Sequence, residues 1–86
     1  MRDYHALIVK EMKRRYFYHA DTRATCLELA NIATSVADLG KYDTGKIVRA
    51  TVEAWRYWNK CTNLDADFVT YACICTSTID LLSLKK

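Results

Sequence analysis

The chain is predicted to be all-α: a compact bundle of about four helices, with an antiparallel helical hairpin around residues 40–45. Three observations carry that expectation. The 86 residues include no proline and only two glycines, Gly40 and Gly45. Turns and sheet corners depend on those residue types for positive φ and for rigid bends, so a chain that does without them is expected to be helical. The two glycines bracket Gly40-Lys41-Tyr42-Asp43-Thr44-Gly45, the one obvious tight corner. On either side of it, apolar residues recur at spacings of three and four, the period of one helix face.

The first segment spans about Asp3 to Tyr18. Asp3 is placed to cap its start, and Tyr4, Ile8, Met12 and Tyr16 recur at every fourth position with His5 and Val9 beside them. The second begins near Asp21 or Thr22. It carries the stripe Cys26, Leu29, Ala30, Ala33, Val36 and Ala37 and stops where Gly40 follows Leu39. Between these segments there is neither glycine nor proline. Only Ala20-Asp21-Thr22 suggests a break, and without it residues 3–39 would continue as one long helix.

The third segment is the clearest. Asp43 or Thr44 caps it; Ile47, Thr51, Ala54, Trp55, Trp58 and Thr62 form a dry face, while Lys46, Arg49, Glu53, Arg56 and Lys60 form a wet one. Glu53 is spaced to pair with Arg49 or Arg56. The fourth follows Thr62-Asn63-Leu64-Asp65, where Asn63 or Asp65 can cap, and its stripe is Phe68, Tyr71, Ala72, Cys75, Ile79 and Leu82. Its β-branched residues suit a strand as well. A lone strand would leave its backbone groups without partners, so helix is expected.

A chain of this length makes one domain, residues 1–86, and buries roughly 60–65% of the surface its unfolded form exposes. An apolar content of 51%, with two tryptophans, six tyrosines and two phenylalanines, supplies the core. Leu7-Ile8-Val9 is too short for a signal-peptide core, and no apolar run approaches the ~18 residues of a membrane span. The expectation is a soluble, cytoplasmic protein with no membrane association, and with Cys26, Cys61, Cys73 and Cys75 as free thiols.

The motifs point away from enzymatic chemistry. Gly40 to Ile47 comes within one residue of the phosphate-binding pattern GxxxxGK[ST]. However, Ile47 replaces the magnesium-binding hydroxyl and a helix, not a strand, leads into the loop. A helix–helix corner with left-handed glycines explains it better. Cys73 and Cys75 on a helix point roughly 160–200° apart and cannot chelate one ion. His5 and His19 lack a companion nucleophile; His5, on the apolar stripe, reads as a hydrogen-bonded boundary residue. No enzyme activity, cofactor or metal is expected.

One stretch does not fit a simple bundle. The formal net charge of +3 arises near the start, where four cations fall between Lys10 and Arg15. Tyr16, Phe17 and Tyr18 follow directly, and at ~100° per residue they fan over more than half a helix circumference. In helical register Phe17 would lie beside Lys10, Lys13 and Arg14. Lys10, Lys13, Arg14, Arg15, Phe17 and Tyr18 therefore form the expected partner-binding patch, since arginine and aromatic residues dominate interface hot spots. The competing reading is that the helix ends near Tyr16 and Phe17 folds under the bundle.

Ile74 and Leu81, seven apart and off the main stripe, suggest an oligomer seam; Leu27 sits similarly on the polar side of the second segment. The functional expectation is a small protein-interaction module, an inhibitor or adaptor that binds a larger protein or complex, with a homodimer as a further option. The alternative is nucleic-acid binding through the Lys10–Arg15 cluster. A helix-turn-helix from segments two and three would carry Glu53 in the middle of its reading face, a poor match to a DNA groove.

Overall fold

The computed structural model describes residues 3–61 and 68–84. Asp3 opens the first helix as expected: its carboxylate accepts from the Ala6 amide at 3.1 Å, satisfying one of the orphan donors of the first turn. Four helices follow in order: α1 (Tyr4–Arg14), α2 (Arg23–Ala37), α3 (Thr44–Cys61) and α4 (Phe68–Leu84), with one 3-10 turn at Ala20–Thr22. The break at Ala20-Asp21-Thr22 is thus present, and α1 and α2 are separate helices. Thr22 secures that turn, its hydroxyl accepting from the His19 amide at 3.0 Å and donating to the His19 carbonyl at 2.7 Å.

The corner after α2 turns on a single glycine. Gly40 has φ 69, the left-handed conformation that an L side chain resists. The amides of Leu39 and Gly40 donate to the carbonyls of Val36 and Ala37, closing the end of α2. Asp43 then starts α3, its side chain accepting from the Lys46 amide at 3.3 Å and its carbonyl from the Ile47 amide at 2.9 Å. Gly45, expected in a left-handed conformation too, instead lies inside the first turn of α3 without positive φ.

α2 and α3 form the central pair. α1 and α4 each pack against both and, among the described residues, bring no Cα atoms within 8 Å of one another. The core is drawn from all four helices: Ile8 and Met12, Cys26, Leu29 and Val36, Ile47 and Val52, and Ile74 are all fully buried. Two threonines share that core. Thr51 and Thr78 are fully buried, and each donates its hydroxyl to the carbonyl four residues earlier, Ile47 at 2.7 Å and Ile74 at 2.8 Å. A buried hydroxyl that keeps a hydrogen bond inside its own helix avoids most of the desolvation cost. Burial also pushes the Cys26 thiol above its ordinary pKa.

α4 is a helix, not a strand, but its buried face is rotated from the expected one. Ile74, Thr78 and Leu82 face inward at every fourth position, with Tyr71, Cys75 and Ile79 packed on the flanks, and Ala72 is exposed. Ile74, expected at an oligomer seam, is only 1% exposed in the single chain and forms part of its core. Its side chain is unavailable to a second copy. Leu81 is half-buried and lines a groove described below. Helical geometry also separates Cys73 from Cys75, of which only Cys75 packs on the core. The Thr62–Asp65 cap and the side chains of Lys60, Cys61 and Phe68 lie outside the described residues. Among the described residues, no helix is long and apolar enough to cross a membrane.

Candidate functional site

The residues predicted to meet a partner sit where α1 ends, and that ending decides their geometry. The amide of Phe17 donates to the Met12 carbonyl at 2.8 Å and that of Tyr16 to the Lys13 carbonyl at 3.0 Å. These two bonds are the Schellman closure, which requires a left-handed residue between them. Tyr16 occupies that position, with φ 62, where glycine or asparagine would be the ordinary choice. The helix therefore stops at Arg14, short of the expected Tyr18. Tyr16 leaves the apolar stripe assigned to it and projects with 89% exposure.

Phe17 is correspondingly not in helical register with Lys13 and Arg14. Its ring packs on Trp55 of α3 at a centroid separation of 6.1 Å, and the Arg56 guanidinium lies 4.4 Å over it. It is half-buried against the core, so the reading in which it folds under the bundle holds. Tyr18, also half-buried, has the Lys13 ammonium 5.1 Å above its ring. Lys10, Lys13 and Arg14 are exposed and Arg15 is half-buried.

Two carboxylates that the sequence reading did not single out for this patch organise its arginines. Glu11 accepts from Arg14 Nε at 3.0 Å and Nη2 at 2.7 Å, a bidentate pair, and from Arg15 Nε at 2.8 Å. Arg15 reaches on to Glu53 of α3 through Nη1. Glu53, spaced to pair with Arg49 or Arg56, instead bridges to Arg15, the residue that caps the end of α1. The hydrogen bond from Arg14, and then that from Arg15, hold the Glu11 carboxyl below its ordinary pKa, although burial pulls the other way. The Glu11 spacing to both arginines is visible in the sequence; the Glu53 contact is not, since it joins residues 38 apart.

This network has a pH signature. Because the folded-state pKa of Glu11 is depressed, the stabilisation is present above the unfolded value near 4.5 and is lost as pH falls through the folded value. Glu11→Gln is expected to lower the unfolding free energy at pH 7 by about 1 kcal/mol, the scale of a charge-assisted bond with one exposed partner. In urea denaturation the gap between variant and wild type should be smaller at a pH below 4.5 than at pH 7. An equal gap at both pH values would mean that the charge of Glu11 contributes nothing.

Further along α3, Tyr57 is exposed and stands edge-on to Trp58, with ring centroids 5.7 Å apart and planes at 87°. The Trp58 indole donates to Ser77 Oγ of α4 at 2.8 Å. A groove of about 300 Å³ opens beside them, lined by Glu53, Ala54, Tyr57, Ser77, Asp80 and Leu81. On α1, His5, Ala6, Val9, Lys10 and Lys13 line a shallower depression. The hydrogen bond expected for His5 is not made at Nε2, which is buried without a partner. Among the described residues, no three His, Cys, Asp or Glu side chains converge as a metal site would require. The chain matches no protein-family model, no curated protein and no solved structure.

Proposed function

We propose that this chain is a small non-enzymatic protein-interaction module, an inhibitor or adaptor, which meets a larger protein through the edge where α1 ends. Its contact residues are Lys10, Lys13, Arg14, Tyr16 and Tyr18, with Arg15 and Phe17 bracing them from beneath. The observation that carries this reading is Tyr16. A large aromatic held at φ 62 costs roughly 1–2 kcal/mol of backbone energy relative to an unstrained residue, and at 89% exposure it recovers almost none of that by packing within the chain. The closure hydrogen bonds and the packing of Phe17 on Trp55 offset that strain, but a glycine would give the same return at lower cost, so a large exposed aromatic at this position points to a role outside the monomer. Exposed tyrosines beside cations also have the composition of protein-interface hot spots.

Nucleic acid is the weaker reading. Glu11 and Glu53 already take the charge of Arg14 and Arg15, leaving few cations at this edge to neutralise phosphates.

Tyr16→Gly separates function from folding because the two effects have opposite signs. Relieving the left-handed strain outweighs the added flexibility of glycine in the unfolded chain, so stability should rise by about 0.5 kcal/mol. Partner affinity should meanwhile fall about tenfold or more, as at a hot spot. The measurement is affinity capture from the native host with wild-type and Tyr16→Gly baits, with and without nuclease. A protein retained by the wild type and lost by the variant supports the reading. Identical captures would remove Tyr16 from the interface, and capture abolished by nuclease would favour nucleic acid.

A further inference from the structure

We propose that the groove between α3 and α4 is a second binding site, and that it takes an arginine or lysine side chain presented by another protein. Ala54, Tyr57 and Leu81 supply apolar walls, and Ala54, 1% exposed, leaves the floor hollow where a longer residue would fill it. Tyr57 is 60% exposed, and its neighbour Trp58 is tied to Ser77, so the tyrosine flanks the opening against a fixed ring. The charged groups lining the groove are two exposed carboxylates, Glu53 and Asp80, with no cation among them. Glu53 is taken by Arg15, whereas Asp80 has no ion-pair partner among the described residues.

An occupant has to match an apolar slot, an aromatic face and a carboxylate that has no ion-pair partner among the described residues. A long aliphatic stem ending in a cation does so: the stem lies along Leu81 above the Ala54 floor, and the head group reaches Asp80 and the ring of Tyr57. A neutral apolar side chain would leave Asp80 without return for its partial desolvation, and an acidic one would be repelled by Asp80. The volume, at the lower end for a ligand site, suits one long side chain with its flanking backbone. This site meets the Tyr16 edge at Glu53, which Arg15 engages, but its test needs no cellular partner.

The probes are three tripeptides, acetyl-Leu-Arg-Leu-amide and its glutamine and glutamate counterparts, titrated into the isotopically labelled full chain at low salt and followed by NMR. The Trp58 indole Nε1–H is a built-in reporter because its acceptor, Ser77, lines the groove. The arginine peptide should shift that resonance and the amides of residues 53–57 and 77–81, saturating in the millimolar range, about −4 kcal/mol. The glutamine peptide should bind at least about fivefold more weakly, and the glutamate peptide should give no saturable shift. Asp80→Asn and Tyr57→Leu should each weaken the arginine peptide about threefold to tenfold, while Lys41→Ala, at an exposed position outside both sites, leaves it unchanged. Equal binding of arginine and glutamine peptides, absence of saturation, or shifts that map elsewhere would each overturn the proposal. So would shifts of the same amides on simple dilution without peptide, since the occupant would then be a second copy of the chain.

Discussion

Ile74→Ala is expected to lower the unfolding free energy by about 3 kcal/mol, and Leu81→Ala, seven residues away on the same helix, by less than about 1 kcal/mol. The difference follows from position. Ile74 is fully enclosed where α4 meets the α2–α3 pair, so its truncation loses transfer energy and leaves a cavity. Leu81 is half-buried on an open groove, where water fills the space its side chain vacates. For a domain of this size about 3 kcal/mol corresponds to a fall in Tm of roughly 12–24 °C, a large share of the margin available to a small protein. Urea denaturation of the two variants measures it. If Ile74→Ala kept wild-type stability and instead dissociated a dimer by light scattering, Ile74 would be a seam residue and the α4 register would be wrong.

Phe17→Ala is the second large effect, expected at about 2 kcal/mol. That is less than the full cost of a buried phenylalanine because the ring is only half-buried, but truncation uncovers Trp55 and removes the ring beneath Arg56. Phe17→Leu, which keeps most of the apolar contact, should lose less than half as much. Tryptophan fluorescence should report the alanine variant directly, since Trp55 gains water on the side that Phe17 covered. An unchanged Tm with a loss of partner binding would return Phe17 to the surface, as its helical register had suggested. Together with Tyr16→Gly, this pair divides the aromatic run by role: Phe17 holds the edge in place and Tyr16 is displayed by it.

How α1 ends shows why the run Tyr16-Phe17-Tyr18 was legible only in part. The pattern showed that three consecutive aromatics cannot share one helix face, and that the helix would either display Phe17 or stop. No glycine marks the stop, because Tyr16 itself adopts the left-handed conformation. Local propensity argues against that conformation, so only the packing of Phe17 on Trp55, which lies 38 residues further on, could select it. Tyr16 therefore moved from the expected core stripe to the most exposed of the large apolar side chains among the described residues.

The same distinction applies to α3 and α4. In α3 the charged and apolar residues alternate with a strong helical period, so the wet face was correctly read at Lys46, Arg49 and Glu53, whereas Arg56, expected on it, is half-buried over Phe17. In α4 nearly every side chain is apolar or small and hydroxylated, so many rotations bury a similar set. The bond from Thr78 to the Ile74 carbonyl makes a threonine as acceptable at the centre as an isoleucine. The groove and the Arg15–Glu53 bridge were likewise invisible, each being made by residues from two helices.

The sequence by itself determined that the chain is helical, the cap at Asp3, the start of α3 at Asp43 or Thr44, the left-handed corner at Gly40 and the inward side of Ile47, Thr51 and Ala54, because each depends on residues within one or two turns of one another. The tertiary structure alone decided where α1 ends, which way α4 turns and how the cations at that edge are balanced. Those outcomes rest on contacts between distant segments, whose energies exceed the small local preferences that a linear pattern can display.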